Sequence, residues 1–154
     1  MFMQTRRDTL RQGALAAGAL AAGSLLPQQV LAYNKAAFEV KGVPDALKAL
    51  GATGALTESK DVSLTAPDIA ENGAVVPLAL STTLPNVKQL VLMVEKNPSP
   101  LVAVFNVTPD IEASFATRSK MGQSSDVYAI AVTTDGKALF TKKEVKVTLG
   151  GCGG

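Results

Sequence analysis

From residue 60 onward, apolar residues come in short runs with a period near two, and turn-forming residues stop each run. The runs cover residues 62–65, 74–80, 87–95, 101–107, 112–118, 126–133 and 137–149. Between them stand Asn72-Gly73, Leu84-Pro85-Asn86, Asn97-Pro98-Ser99-Pro100, Met121-Gly122 and Asp135-Gly136. Strands this short, with turns at this rhythm, predict a mainly β fold: two antiparallel sheets packed as a sandwich. Thr134-Asp135-Gly136-Lys137 predicts a tight hairpin, because Asp-Gly tolerates positive φ. The last run alternates, with Val145, Val147 and Leu149 inward and Glu144, Lys146 and Thr148 outward. Ahead of the strands, Val43 to Gly51 reads as one short helix over residues 44–50. Pro44 suits its first position and Gly51 its stop.

Two runs break the alternation. Residues 90–94 (Leu-Val-Leu-Met-Val) and 101–105 (Leu-Val-Ala-Val-Phe) are apolar on both faces. A sandwich strand with one wet face does not look like this. Either the helix or a loop covers the second face, or a second polypeptide docks on it. Pro77 lacks an N–H for a ladder and marks run 74–80 as an edge or a bulge.

The strand pattern stops at Gly150-Gly151-Cys152-Gly153-Gly154, which holds the only cysteine of the chain. A lone cysteine is usually a small buried hydrophobe. Glycines on both sides have no side chain to bury and no Cβ to restrict φ and ψ. The expectation is a flexible arm, residues 150–154, in which Gly150, Gly151, Gly153 and Gly154 leave the Cys152 thiol reachable. An ordinary thiol, with a pKa of about 8.5, is only a few per cent thiolate near neutral pH. Activation must then come from whatever enzyme receives the arm.

At the other end, Arg6, Arg7 and Arg11 precede a weakly apolar Ala/Gly/Leu stretch over residues 13–26, then Pro27 and the small-residue site Val30-Leu31-Ala32. This order is that of an export signal, and the apolar stretch falls short of the ~20 residues a membrane span needs. The paired Arg6 and Arg7, with Leu10 after them, fit a twin-arginine address read by a receptor; a general secretory signal with adjacent arginines is the plainer reading. The expected division is a signal over 1–32, a carrier domain over 33–149 and the arm over 150–154. The leader takes with it three of 15 Lys+Arg and one of 13 Asp+Glu, leaving 12 of each. A mature chain near neutrality offers no surface for nucleic acid or an anionic membrane. Export also exposes Cys152 to an oxidising compartment, where one cysteine can pair only between chains or remain reactive.

What the chain lacks narrows the chemistry. It has no histidine and no tryptophan, so zinc ligation, Ser-His-Asp and Cys-His catalysis lack their usual groups. There is no Cys-x-x-Cys pair and no phosphate-cradling glycine loop. Asp68 with Glu71, and Asp110 with Glu112, pair by spacing but read as solvated surface. Asn106-Val107-Thr108 is a glycosylation sequon with no meaning behind a bacterial-type leader. A single thiol without catalytic surroundings is expected to be acted upon; no cofactor is expected.

The stretch from Lys146 to Gly154, with the twin-arginine leader and residues 69–77 (Ile-Ala-Glu-Asn-Gly-Ala-Val-Val-Pro), resembles the SoxY family of the bacterial thiosulfate-oxidising Sox system. The likeness covers essentially the mature chain. It implies an immunoglobulin-like sandwich, periplasmic location and a heterodimer with SoxZ. It also implies that Cys152 is the attachment point for thiosulfate-derived sulfur and that the four glycines form a swinging arm. A haem-containing enzyme would conjugate thiosulfate to the thiol, a hydrolase would release sulfate, and a sulfane dehydrogenase would oxidise the sulfur that remains. Three other readings compete. One is an exported structural module tethered by an intermolecular disulfide at Cys152; another is a ubiquitin-like carrier activated at the Gly154 carboxylate, whose machinery is cytosolic; the third is an enzyme in its own right.

Overall fold

The computed structural model of the chain describes residues 34–148, and within them Pro44 and Gly51 bracket a helix as their chemistry requires. Two helices precede the strands: α1 (Lys35–Glu39) and α2 (Val43–Ala49). Gly51 takes φ +81°, and Ala52 N donates to Leu47 O while Gly51 N donates to Lys48 O, both at 3.0 Å. That pair of bonds closes the last turn in a Schellman motif. α1 is absent from the sequence reading. Its five residues are too few for a periodic signal, and it is held instead by Asn34, whose Oδ1 accepts from Ala37 N at 3.2 Å and whose Nδ2 donates to Ala49 O at 2.6 Å.

Nine strands follow: β1 (Leu56–Glu58), β2 (Val62–Thr65), β3 (Ile69–Ala70), β4 (Val76–Thr82), β5 (Val87–Val94), β6 (Leu101–Asn106), β7 (Ser114–Ser119), β8 (Ser125–Thr133) and β9 (Ala138–Val147). The seven anticipated runs are all present, several with ends moved by one or two residues. β1 and β3 are additions, each too short to show alternation. The larger sheet runs β1-β9-β8-β5-β6 with β3 also on β9, and the smaller runs β2-β4-β7. The fold is the mainly β, immunoglobulin-like sandwich expected, with one refinement. β1 and β3 pair with β9 in parallel, over Leu56↔Ala138 and Ile69↔Lys146, while the other pairings are antiparallel. The chain thus runs along the free edge of β9 twice, leaving in between to form β2 in the other sheet, so that edge is covered.

Apolar side chains fill two layers. Between the sheets, Leu78 and Leu80 of β4 meet Leu90 and Leu92 of β5 and Ala129 of β8. On the outer face of the larger sheet, Val91, Met93, Ile130 and Val132 pack under Ala46 and Leu47 of α2. The two-sided run 90–94 is therefore covered by the chain's own helix, and all five residues are fully buried. β8 is two-sided as well, since Ala129 and Ala131 face one layer and Ile130 and Val132 the other. Its alanines mask the pattern in the sequence. Run 101–105 forms β6, at the margin of the larger sheet, where residues 102–105 are only half-buried.

Two local expectations change. β4 is the middle strand of its sheet, not an edge. Proline is tolerated at position 77 because β2 pairs only with residues 79–82, leaving β7 as the sole neighbour there. The Asp135-Gly136 hairpin is a three-residue loop in which only Gly136 has positive φ, at +84°. Gly136 N donates to Thr133 O and Thr133 N to Lys137 O, both at 3.0 Å, the pattern of a type I turn followed by a glycine bulge. A Cβ on Gly136 would lie 2.7 Å from Thr53 Oγ1, so the turn also needs glycine for the approach of the loop before β1.

Candidate functional site: the root of the glycine–cysteine segment

Cys152 with Gly150, Gly151, Gly153 and Gly154, and the leader pair Arg6 and Arg7, lie outside the described residues. The structure shows the root from which that segment departs. β9 carries the chain to Val147, and Thr148 is the last residue described. Three neighbours fix this end. Lys146 N donates to Asp68 O at 2.9 Å and Thr148 N to Ala70 O at 3.1 Å, which makes β3 the parallel companion of the last turn of the strand pattern. From the other side, Val147 N donates to Ser124 Oγ at 2.9 Å. Lys143 Nζ adds a tie to the start of β3, reaching Ala66 O at 2.7 Å and Asp68 Oδ1 at 2.9 Å.

The turn after β3 packs against the same root. Asn72 Oδ1 accepts from Ala74 N at 2.9 Å, Asn72 O accepts from Val75 N at 3.3 Å, and Met121 N donates to Gly73 O at 2.7 Å. A Cβ on Gly73 would stand 2.4 Å from Met121 O and 2.8 Å from Val147 Cγ1. Glycine is required there for close approach, not for its backbone conformation. Sequence reasoning took Asn72-Gly73 as a turn only; its role against Val147 is visible once β3 and β9 are seen side by side. The same reasoning passed over Ile69 and Val75, which are 57% and 51% exposed beside this root. Ile69 lies outside the strand runs and Val75 falls inside run 74–80, whose strand starts only at Val76, so neither stands out in the sequence.

The charges with perturbed titration stand elsewhere. Hydrogen bonds from Lys137 and Thr133 hold the Asp135 carboxyl at about 2, but that loop is the opposite end of β9 from Thr148. Lys142 is raised chiefly by its bond to Asp126, at 2.7 Å, and Tyr128 is raised by burial and by Glu95. Asp68, Glu71, Asp110 and Glu112 are exposed, as a solvated surface requires. Among the described residues no cluster of His, Cys, Asp or Glu could hold a metal ion, and no helix is long and apolar enough to cross a membrane. A cleft of about 450 Å³ opens beside Pro77 where β2 leaves β4, lined by Thr65, Leu78 and Arg118 but by no carboxylate. The arrangement around Thr148 can fix where the following segment starts, and the ion pair of Lys143 with Asp68 ties β9 to the start of β3.

The sequence profile of the family described as "Sulfur oxidation protein SoxY" matches residues 47–152, a span that includes the cysteine. Among solved structures, the sulfur carrier protein SoxY from Chlorobium limicola f thiosulfatophilum is similar at 32% identity with a TM-score of 0.63, covering 69% of this chain and 96% of that one. A single-site variant of the superoxide reductase (neelaredoxin) from Ignicoccus hospitalis aligns at 19% identity and TM-score 0.50, over 56% of this chain and 79% of its own. At that identity the likeness concerns the sandwich fold alone. No curated protein matches the sequence.

Proposed function

The chain belongs to the SoxY family of sulfur oxidation proteins, and from that membership we propose that it is a sulfur carrier holding thiosulfate-derived sulfur covalently on Cys152. One observation carries this: the sole cysteine of a SoxY-family chain stands between two glycine pairs, which have no side chains to crowd Sγ. The chemistry then divides between this chain and others. A haem-containing enzyme joins the sulfane sulfur of thiosulfate to Sγ, removing an electron pair and the thiol proton, and leaves a cysteine S-thiosulfonate. A hydrolase adds water across the terminal S–S bond, releasing sulfate and a proton and leaving a persulfide. A sulfane dehydrogenase oxidises that persulfide sulfur further. Gly150 and Gly151 serve as the thin link that lets Sγ enter each cleft in turn, and no cofactor belongs to the carrier itself.

The β9 root supports this division of labour. Backbone and side-chain bonds hold Val147 and Thr148 from both sides, so the segment beyond starts from a defined point. The test is sulfur transfer with Cys152→Ser. The variant should fold and melt like the parent, because serine replaces cysteine with little change of size in a stretch whose glycines have no side chain to bury. It should nevertheless release no sulfate when given thiosulfate and the conjugating and hydrolysing enzymes. Retained sulfate release through the variant overturns the assignment.

The carrier works in the periplasm, exported through Arg6 and Arg7 as folded cargo already paired with SoxZ in the cytoplasm. The half-buried apolar margin at β6 supports a second polypeptide. SoxZ would lack a signal and cross the membrane with this chain. Replacing Arg6 and Arg7 together with Lys should strand both polypeptides in the cytoplasm. SoxZ reaching the periplasm alone contradicts joint export.

A further inference from the structure

Large apolar residues exposed to solvent are few in this fold: among the described residues they are Ile69, Val75 and Ile111, at 57%, 51% and 46%. Two of the three flank the root of the cysteine segment. Ile69 pairs in register with Lys146, two residues before Thr148. Val75 belongs to the turn whose Gly73 abuts Val147. Neither contributes to the layers of the sandwich. Both are held in place, Ile69 by the bonds that tie β3 to β9 and Val75 by the Asn72-centred turn.

Covalent reach adds the second constraint. Cys152 stands four positions beyond Thr148, so Cα to Cα the link spans at most about 14 Å even when fully extended. An enzyme whose reacting atoms lie at the bottom of a cleft about 10 Å deep must, on the same chain geometry, bring its lip to within a few Å of Thr148. Its lip then comes close to the strand end that Ile69 and the turn carrying Val75 flank.

We propose that Ile69 and Val75 form the seat on which the apolar lip of a thiol-processing enzyme's cleft closes while Cys152 is inside. The proposal rests on the carrier function above and adds its docking surface. Its partner is an enzyme surface with an apolar rim at the mouth of a narrow cleft, and exposed Glu71, Lys120 and Lys146 supply polar margins of both signs. Presenting both anchors on already ordered backbone keeps the ordering cost of docking small. A few aliphatic anchors are enough, because binding energy at such contacts concentrates in a handful of residues. Docking here also sets the direction of entry, since β3 carrying Ile69 is bonded to the strand from which the segment leaves.

The experiment uses the full carrier with its partner subunit, loaded as the Cys152 thiosulfonate, and the sulfate-releasing hydrolase. Ile69→Ser combined with Val75→Ser should raise KM by about tenfold or more, as expected from losing two partly buried aliphatic contacts, with little change in kcat. The unloaded thiol should react with a small aromatic disulfide at the parent rate. Ile69→Val with Val75→Ile should restore KM. Ile111→Ser is the control; Ile111 lies by the start of β7, at the far end of the β4–β7 pair from Val76 and Ser119, and its KM should stay at the parent value. A parent-like KM for the double serine variant, with Cys152→Ser still inert, overturns the docking seat and leaves the carrier function standing. Sulfur transfer through Cys152→Ser removes both. Loss of the partner subunit from the double variant, with KM restored by excess partner, assigns the surface to subunit pairing and overturns the seat.

Discussion

β5 and β6 are neighbours in one sheet and share the same apolar residue types, yet they meet different surroundings. β5 lies between β8 and β6 and carries side chains into both layers, so Leu90, Leu92 and Val94 face β4 while Val91 and Met93 face the helices. β6 has β5 on one side and, among the described residues, no strand on the other. Its Val102, Ala103 and Phe105 only border the inner layer, and Val104 only borders the helices. Phe105 stacks on Phe115 at 4.5 Å, which joins the two sheets at that margin. Two-sided apolarity therefore signals cover without saying whose. Position in the sheet decides whether the chain supplies it, and sheet order is set by long-range pairing that a run of five residues does not encode.

The largest difference should come from truncating one side chain in each strand. Leu92→Ala should cost about 3 kcal/mol, because Leu92 is fully buried and the packed sheets cannot collapse around the gap. Val104→Ala should cost about 1 kcal/mol or less in the isolated chain. Urea melts of both variants measure the difference, and equal losses would mean that β6 is as enclosed as β5. A charge sharpens it further. Val104→Lys should leave the isolated chain within about 1 kcal/mol of the parent, since a lysine can lift its ammonium to solvent at an open margin. It should also weaken co-purification with SoxZ, the partner proposed above. Intact pairing would place the partner elsewhere on the molecule.

The smallest effect is electrostatic and lies in the β8–β9 hairpin, away from both strands. Asp135 is bonded by Lys137 at 2.8 Å and by the Thr133 hydroxyl, and its carboxyl is lowered from 3.8 to about 2. A lowered folded-state value means that stability is present above pH 3.8 and is lost as the pH falls through about 2. The thermal midpoint should show a shallow acid loss in that window, and Asp135→Asn should flatten it without altering the contrast between β5 and β6. Because the carboxylate is solvent-exposed, screening keeps the effect slight.

Much of the architecture was readable because it rests on local rules. Pro44 and Gly51 mark a helix by the φ values they allow, and Asp135-Gly136 marks a hairpin. The alternation of Val145 and Val147 against Glu144 and Lys146 marks the faces of β9. What escaped was short or borrowed its stability from elsewhere. β3 has two residues and exists because Asp68 and Ala70 offer carbonyls to Lys146 and Thr148, far along the chain. Pro77 read as an edge or a bulge because the sequence does not say where β2 stops. The candidate carrier residue was legible from composition alone, as a single cysteine among glycines. The proposed apolar seat was not, because Ile69 and the turn carrying Val75 meet the end of β9 only through tertiary pairing.

Whether sulfur resides on Cys152 is decided by mass spectrometry of the protein isolated without reductant from cells oxidising thiosulfate. Intact mass should show a mixture of sulfane and thiosulfonate additions that vanish on reduction, and fragmentation should place every addition on the peptide carrying Cys152. A homogeneous unmodified chain during active turnover, additions on any other residue, or one fixed cross-link to another polypeptide would contradict the account.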